Sequence, residues 1–285
     1  MNPNNDDDQR VTVTEALAGE RLDRAIAALA PAVSRGEARR LIDAGVVFVS
    51  GRRTRISSRL VRAGEVITWQ QPARPRPGVP VVEPRIVLGR PDLWIIDKPA
   101  GMPVEPTRQG SLGTLTEWLK GQEGPAFVTH RLDAATSGLL VVARDRDTQV
   151  ALNRLFSEHA IGRRYVAIVS PPPSWEATTL SDELDGRPAI TRVAVAERSE
   201  QAAALLVELE TGRTRQIRRH LAAAGTPVVG EDGWGNRTAA RLLLHAHGLS
   251  LPWPPGAEPQ TFVAAPPPEF AAAAAALGLH GAPWS

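Results

Sequence analysis

The residues best suited to chemistry lie in the run THRLDAATSGLLVVAR, at positions 129–144. Within it, Asp133 precedes a turn of small residues that leads into an apolar strand. A carboxylate on a loop at the end of a strand is suited to attack a substrate that enters from outside. The same side chain could instead cap its turn by accepting a hydrogen bond from the backbone amide of Thr136 or Ser137, and the local sequence leaves both interpretations open.

A second run, ETGRTRQIRRHLAAAGTPVVG at 210–230, places several arginines at the start of a predicted helix. The pattern predicts this helix over 214–224, with Thr214 as its N-cap and with Ile217 and Leu221 on one face. Guanidinium groups in such a position can bind phosphate, or can neutralise a carboxylate that must stay ionised inside a pocket. A basic helix that simply faces solvent is the alternative.

The elements that must position these groups form a mixed sheet. Apolar runs predict strands at 92–97, 138–143, 164–169, 189–196, 203–210 and 241–250, and helices at 147–160, 214–224 and 271–276. The strands come in clusters with few helices between them. This order predicts an α+β fold with a mixed, mainly antiparallel sheet rather than a doubly wound parallel one.

Charge is unevenly distributed along the 285 residues, although the net charge is only +2. Residues 10–90 contain 15 arginines and seven acidic residues, a net charge of +8, whereas the chain from Pro91 onwards has 18 basic and 21 acidic residues. A basic segment joined to a mildly acidic body suggests contact with nucleic acid.

The basic segment predicts a small α+β module. Helices are expected at 20–29 and between Ser34, a good N-cap, and Gly45, a C-cap, followed by the short strand VVFVSG. The arginines expected to contact RNA phosphates are Arg35, Arg39, Arg40, Arg52 and Arg53. A solvated charged face on a helical hairpin is the alternative.

Composition excludes several classes of function. The chain contains no cysteine, which rules out disulfides, thiolate metal sites, iron–sulfur clusters and cysteine nucleophiles. No apolar run is long enough to span a membrane, and the acidic start MNPNNDDDQR does not resemble a secretory signal, so we expect a cytoplasmic protein. His245 and His247 lie two apart on a predicted strand, but no third ligand is evident, and neither a metal nor another cofactor is expected.

Four regions are predicted along the chain: a disordered acidic tail at 1–10, an RNA-binding domain at 11–70, a linker at 71–85 and a catalytic domain at 86–280. The linker is recognised by its prolines, which remove backbone donors and favour extended conformations. These prolines are Pro72, Pro75, Pro77, Pro80 and Pro84.

Three motifs of the basic segment, RLD, SRGEARRLI and DAGVVFVSGR, resemble the S-four (alpha-L) RNA-binding module of ribosomal and RNA-modifying proteins. The resemblance covers about residues 11–70. It implies a domain that binds RNA through its shape and its phosphates, which agrees with the excess of arginine in the same segment.

Motifs in the larger part of the chain resemble the RluA/RluD type of pseudouridine synthase over most of residues 85–280. These motifs are HRLDAATSG, RRYVAIV, TGRTRQIRRHL, DLWIIDKPAGMPV and RLLLHAHGLSLPWP. The resemblance implies that Asp133 is the catalytic aspartate, that Arg218 is its ion-pair partner, and that the ring of Tyr165 packs against the target base. On the residues alone, Tyr165 could also be an ordinary core residue of its strand.

The same resemblance implies further contacts with the substrate. Arg131 is expected to enter the RNA stack when the uridine leaves it, and Ile217 to be the apolar neighbour of the pocket. His130, Arg213 and Arg215 are further candidates for substrate binding.

Several positions depart from the family pattern in the neighbourhood of the substrate. Arg215 stands in place of a histidine, and Arg164 in place of a lysine before the tyrosine. Glu231-Asp232 replaces a Gly-Asp pair, and Trp234-Gly235 replaces a Tyr-Gly turn. No particular uridine is therefore predicted.

The predicted function is isomerisation of uridines in structured RNA to pseudouridine. The aspartate would break the N-glycosidic bond of a flipped uridine and hold an intermediate while the uracil turns, and carbon 5 would then return as the nucleophile. The expected partner is RNA, with large-subunit ribosomal RNA first and transfer RNA second, bound by a monomer without membrane or DNA contacts. The alternatives are a catalytically silent RNA-binding, ribosome-associated factor of the same fold and a hydrolase that releases free uracil.

Overall fold

The computed structural model describes residues 8–31, 33–70, 82–106, 113–231, 233, 236 and 239–281. The chain divides into two compact units, residues 1–82 with 105–121 and residues 83–104 with 122–285. The division at 82 and 83 lies inside the predicted linker 71–85, of which residues 71–81 are outside the described part. Residues 105–121 group with the first unit, which the sequence did not indicate.

The first unit is a small α+β structure. Its described elements are β1 (Asp8–Thr12), a 3-10 helix (Glu15–Leu17), α1 (Leu22–Leu29), α2 (Arg35–Ala44), β2 (Val47–Val49), β3 (Arg52–Arg53), β4 (Val66–Gln70) and α3 (Leu115–Lys120). The strands form an antiparallel sheet in the order β1-β4-β2-β3. Ile67 and Trp69 of the sheet belong to one buried apolar cluster with Ile26 of α1 and Ile42 of α2.

Capping residues set the ends of α2 as predicted. The Ser34 side chain accepts a hydrogen bond from the Glu37 backbone amide at 3.2 Å, and Gly45 ends the helix with a φ of 73°. The start of the unit differs from the prediction, because β1 begins at Asp8, inside the segment predicted as a disordered tail. Pairing with β4 along its whole length provides backbone hydrogen bonds that composition alone does not reveal. Residues 1–7 lie outside the described part.

The second unit is built on one large sheet. Its described strands are β5 (Arg85–Gly89), β6 (Leu93–Lys98), β7 (Phe127–Val128), β8 (Ser137–Ala143), β9 (Gly162–Val169), β10 (Ala177–Leu180), β11 (Thr191–Arg198), β12 (Ala203–Leu209), β13 (Leu244–Leu251) and β14 (Gln260–Val263). Its described helices are α4 (Arg146–Ser157), α5 (Gln216–Ala223) and α6 (Pro268–Ala276). The sheet runs β10-β11-β12-β9-β13-β8-β6-β5, with β14 paired to β13 and β7 paired to β8.

These pairings confirm the predicted α+β class with a mixed, mainly antiparallel sheet. Among the described strand pairs of this unit, β13 with β8 is parallel and the others are antiparallel. The six predicted strands are present, with ends displaced by up to three residues. The strands β5, β7, β10 and β14 were not predicted, because runs of five residues or fewer give too short a pattern.

The strand that leaves the Asp133 loop, β8, is buried along its whole length. Its second residue, Gly138, has a φ of 114°, and a Cβ atom there would lie 2.3 Å from the backbone oxygen of Ala246 in β13. Both the conformation and the close approach of β13 therefore require glycine. Among the described residues, every helix is too short or too polar to cross a membrane.

Candidate active site

A cavity of about 690 Å³ opens in the second unit. It brings together the two runs that carry the candidate chemistry and two residues of β9, Arg163 and Tyr165. The predicted site residues that line it are His130, Arg131, Asp133, Tyr165, Arg213, Arg215, Ile217 and Arg218. A cavity of this size suits a small organic ligand or a single base with its sugar.

Asp133 lies on the loop between β7 and β8, with 21% of its side chain exposed. Its Oδ2 accepts a hydrogen bond from Nη1 of Arg218 at 3.1 Å. The turn itself is closed by the backbone, because the amide of Thr136 donates to the carbonyl oxygen of Asp133 at 3.1 Å. The side chain therefore pairs with Arg218 and does not cap its own turn.

A buried lysine secures the Asp133 loop. Nζ of Lys98, at the end of β6, donates to the carbonyl oxygens of Pro99 at 2.8 Å, Met102 at 2.8 Å and Ala134 at 3.3 Å. Burial lowers the pKa of Lys98 to about 7. Because Ala134 directly follows Asp133, this lysine links the turn after β6 to the loop that carries the carboxylate. The sequence assigned it no role, although it is one of two lysines in the chain.

The guanidinium of Arg218 lies between two carboxylates. On the side away from Asp133, its Nε and Nη2 donate to Oε2 and Oε1 of Glu231 at 2.5 and 2.6 Å. The side chains of Arg218 and Glu231 are 9% and 0% exposed. Burial opposes the charged form of Arg218, but the hydrogen bonds to Glu231 and Asp133 outweigh it and raise the pKa of Arg218.

Glu231, the second carboxylate beside Arg218, was noticed in the sequence only as a departure from the family pattern. Glu231 is fully buried, and although burial raises its pKa, the Arg218 guanidinium and the Gly233 amide lower it below the ordinary value. Glu231 is therefore ionised at neutral pH. The other members of that departure, Asp232, Trp234 and Gly235, lie outside the described residues.

The arginine-rich turn before α5 is held by Gln216. The N-cap of α5 is Arg215, which has a φ of 53° and no side-chain capping hydrogen bond. Oε1 of Gln216 accepts hydrogen bonds from the Arg213 amide at 2.9 Å and from the Thr211 hydroxyl at 2.8 Å. The prediction of Thr214 as the N-cap is therefore wrong, because the glutamine side chain satisfies the backbone ahead of the helix and the N-cap lies one residue later, at Arg215.

Tyr165 of β9 is buried to 7% exposure and forms part of the cavity wall. Burial raises the pKa of its phenol, so the ring is neutral. Arg163 lies two residues earlier on the same strand and also lines the cavity. Its Nη2 donates to the Thr211 carbonyl at 3.3 Å, and its Nε has no hydrogen-bond partner among the described residues. The period of two along a strand could have predicted Arg163 once Tyr165 was assigned to the cavity.

His130 and Arg131 differ sharply in their surroundings. Nε2 of His130 accepts a hydrogen bond from the Val141 amide at 2.9 Å, and its ring packs on Phe156 with the centroids 4.4 Å apart. Burial, and then the charge of Arg163, lower the pKa of His130 to about 3. Because Nε2 of His130 already accepts a hydrogen bond from the backbone, that nitrogen cannot bind a substrate. Arg131, in contrast, is exposed at the cavity.

His245 and His247 take part in hydrogen bonds within the sheet. Nε2 of His245 and Nδ1 of His247 lie 3.0 and 2.8 Å from the carbonyl oxygen of Ala264. Nδ1 of His245 lies 2.9 Å from Oγ of Ser137. In the part of the chain that the structure describes, no group of three acidic or histidine side chains is arranged to hold a metal.

Acid is expected to destabilise the second unit through its neutral histidines. Burial lowers the pKa of His130 to about 3 and that of His245 to about 4, from an ordinary value of 6.5. Because each folded-state pKa lies below the unfolded value, this contribution is complete above about pH 6.5 and is lost as the pH falls towards about 4. The melting temperature should fall over that range, and His245→Gln should make the fall shallower. A variant at exposed His280, His280→Gln, should keep the wild-type slope; an unchanged slope in His245→Gln would contradict this account.

Three arginines of the first unit surround one buried carboxylate. Asp23, near the start of α1, accepts hydrogen bonds from Nε of Arg21, Arg35 and Arg39 at 3.0, 3.1 and 2.8 Å. Asp23 is fully buried, and although burial raises its pKa, these three arginines lower it far below the ordinary value. The side chains of Arg35 and Arg39 remain 44% and 50% exposed. The cluster therefore presents two uncompensated positive charges in fixed positions.

The other predicted arginines of this unit, Arg40, Arg52 and Arg53, are also exposed. Arg52 and Arg53 form β3, and the guanidinium carbon of Arg53 lies 5.4 Å from the centroid of the Phe48 ring. Asp23 was not predicted as part of the basic surface. Asp23 is the aspartate of the RLD motif, and this motif was the sequence signal that could have identified it.

Comparison with known families gives two matches to this chain. The family described as RNA pseudouridylate synthase matches residues 92–223, and the S4 domain matches residues 20–67. The first match contains Asp133, Tyr165 and Arg218, and the second contains the Asp23 cluster.

Curated relatives extend over most of the chain. A protein of Chloroflexus aurantiacus named uncharacterized RNA pseudouridine synthase is 35% identical over 91% of this chain and 90% of its own length. The ribosomal large subunit pseudouridine synthase D of Zymomonas mobilis is 32% identical over 83% of each chain. Among solved structures, human RNA pseudouridylate synthase domain containing 4 shares the fold, with a TM-score of 0.59 and 24% identity over 68% of this chain and 93% of that one.

Proposed function

The chain belongs to the RNA pseudouridine synthase family, whose members are isomerases, and we propose that it converts specific uridines of large-subunit ribosomal RNA to pseudouridine. The observation that carries this proposal is the Asp133 carboxylate, held at 3.1 Å by the buried guanidinium of Arg218 in a cavity that Tyr165 also lines. The name of the Zymomonas relative supports ribosomal RNA as the substrate class.

One carboxylate is enough for this reaction. The bond between C1′ and N1 of the uridine breaks, a bond between C1′ and C5 forms, the C5 proton leaves and N1 gains a proton. Because the base itself returns as the nucleophile, no water has to be activated, whereas a glycosidase that delivers water uses two carboxylates. Among the described residues that line the cavity, Asp133 is the sole carboxylate, which supports its assignment as the nucleophile.

The neighbours of Asp133 suit a uridine that has left its stack. Arg218 orients the carboxylate through a charge-assisted hydrogen bond. Tyr165 and Ile217 supply a flat aromatic ring and an apolar side chain beside it, which can contact the flipped uracil.

The remaining arginines of the cavity suit the rest of the nucleic acid. Arg131 is exposed at the cavity and can fill the gap that the flipped base leaves in the RNA stack. Arg213 and Arg215, on the turn before α5, can contact the flanking phosphates. Arg163 adds a further positive charge to the same wall.

The first unit would hold structured RNA while the second unit acts on the uridine. Its S4 match and its Asp23-centred arginines support that role, because fixed positive charges bind phosphates regardless of base sequence. Transfer RNA is the second expected substrate. Action in the cytoplasm as a monomer, without membrane or DNA contacts, stays a prediction.

Replacing Asp23 by asparagine is expected to weaken RNA binding, although the change adds positive charge. Without the carboxylate, RNA must order the arginines itself, at a cost of about 0.5–1.5 kcal/mol for each side chain. We expect the dissociation constant for structured ribosomal RNA to rise about tenfold, or about 1.4 kcal/mol, in a fluorescence titration. Asp43→Asn makes the same charge change at an exposed position of α2 and should bind at least as tightly as the wild type. Tighter binding by both variants would show that net charge alone decides the affinity.

The proposed function is tested with ribosomal RNA that carries tritium at C5 of uridine. Isomerisation releases tritium to water, leaves the RNA backbone intact and produces no free uracil. Free uracil would instead support the hydrolase, and no release from any cellular RNA would favour the catalytically silent factor. Sequencing of cellular RNA for pseudouridine, with and without this protein, would then identify the uridine.

A further inference from the structure

We infer that Glu231 is a positioning residue for the isomerisation: it holds two nitrogens of Arg218 so that the third points at Asp133. The inference rests on the proposed roles of Asp133 and Arg218. It gives a function to a residue that the sequence marked only as a departure from the family pattern.

The three hydrogen bonds of the cluster use three different nitrogens of one planar group. Nε and Nη2 of Arg218 donate to Glu231 at 2.5 and 2.6 Å, and Nη1 donates to Asp133 at 3.1 Å. A guanidinium is a rigid fork, so two bonds along one edge fix both its plane and its rotation. Glu231 therefore orients Nη1, and the nucleophile meets a donor that is already oriented.

Glu231 cannot act by touching the substrate. Its side chain is fully buried and does not line the cavity, whereas Arg218 and Asp133 both do. Its Oε1 also accepts a hydrogen bond from the Gly233 amide at 2.9 Å. Of these two partners of the Glu231 side chain, Arg218 is the one that lines the cavity, so Glu231 acts on the reaction through Arg218.

The backbone before Glu231 is anchored to the sheet. The Val229 amide donates to the Ile168 carbonyl of β9 at 2.8 Å, and the Leu243 amide donates to the Val229 carbonyl at 2.8 Å. Gly230 has a φ of 81°, and a Cβ atom there would lie 1.9 Å from the Arg241 carbonyl oxygen. This close packing fixes the position from which Glu231 reaches Arg218.

Stability alone does not explain the arrangement. A buried ion pair loses much of its attraction to desolvation, and apolar residues of similar volume often stabilise a protein equally well. An apolar pair could not aim Nη1 at Asp133. Glu231 also balances the charge of Arg218, so that the cluster of one guanidinium and two carboxylates keeps a net negative charge at the nucleophile.

The inference is tested with Glu231→Gln and Glu231→Asp, measured by single-turnover tritium release with the protein in excess over ribosomal RNA. We expect Glu231→Gln to lower the single-turnover rate about 10- to 100-fold, because a small misplacement of a catalytic group has an effect of this size. The protein concentration that gives half of the maximal rate should change less than about twofold. Glu231→Asp keeps the charge on a shorter side chain and should give an intermediate rate. Glu176→Gln, a matched change at a 75% exposed residue that pairs with Arg198, should leave the rate unchanged.

A second readout separates positioning from a purely structural role. A crystal structure of Glu231→Gln should show Nη1 of Arg218 displaced from Asp133. Nη1 of Arg218 in its wild-type place in this variant would overturn the inference.

Other outcomes are equally decisive. A wild-type rate in Glu231→Gln, beside an active wild-type protein, would overturn this inference alone. If the glutamine variant does not fold, Glu231→Asp decides, and a wild-type rate in that variant overturns the inference. A wild-type protein that releases no tritium would overturn the proposed function together with the inference.

Discussion

Replacing Asp133 by asparagine is expected to abolish tritium release from ribosomal RNA, lowering the single-turnover rate by at least about 10⁴-fold. The amide has nearly the size of the carboxylate, and its oxygen can still accept the hydrogen bond from Nη1 of Arg218. The amide lacks the negative charge that makes the carboxylate a nucleophile towards the sugar. Because the Asp133 backbone closes its turn through the Thr136 amide, the fold of the loop should be kept.

The controls for this variant separate chemistry from binding and folding. Asp133→Asn should bind ribosomal RNA with the affinity of the wild type and should melt at the same temperature. Asp185→Asn makes the same chemical change at a 69% exposed residue that pairs with Arg219, and it should keep full activity. Retention of the wild-type rate in Asp133→Asn would show that another group breaks the glycosidic bond.

The sequence was most informative where chemistry is concentrated in short runs. Asp133 and Arg218 each lie in a dense motif, so their residue types already suggested a nucleophile and its cationic partner. They are 85 residues apart, and hydrophobic periodicity describes the faces of single elements, so only the family resemblance could pair them. Tyr165 shows the same limit, because its strand was predictable while the cavity beside it was not.

Residues that act through the backbone or through a buried partner could not be assigned in this way. Lys98 binds three carbonyl oxygens, groups that every residue carries, so its role depends on where the chain places them. Gln216 replaces the expected cap Thr214 because its side chain reaches back to the turn before its own helix. Glu231 acquires its role only when Arg218 is brought beside it.

Replacing Arg218 by methionine is expected to destabilise the second unit as well as to abolish activity. The change leaves the carboxylate of Glu231, which is 0% exposed, without its cationic partner. Breaking a buried ion pair by removing one member costs about 3–5 kcal/mol. For a domain of this size, the melting temperature should fall by about 6–20 °C, measured by calorimetry or circular dichroism.

A double variant tests whether the unpaired charge causes this loss. Arg218→Met with Glu231→Gln places a neutral amide where the carboxylate was, so most of the lost stability should return. Activity should not return, because Asp133 still lacks its donor. If the double variant is as unstable as Arg218→Met alone, lost packing rather than an unpaired charge explains the effect.

The contribution of Glu231 to stability should depend on pH with opposite signs in the wild type and in Arg218→Met. In the wild type, Arg218 helps to lower the pKa of Glu231 below its ordinary value of 4.5, so the stability from that carboxylate is present above about pH 4.5 and is lost as the pH falls. In Arg218→Met, burial without a cation should raise the pKa of Glu231. The variant is then least destabilised below about pH 4.5, and it loses stability as the pH rises through the pKa of Glu231 in the folded state. The difference in unfolding free energy between wild type and variant should therefore shrink in acid. A difference that stays constant with pH would show that Glu231 and Arg218 are not electrostatically coupled.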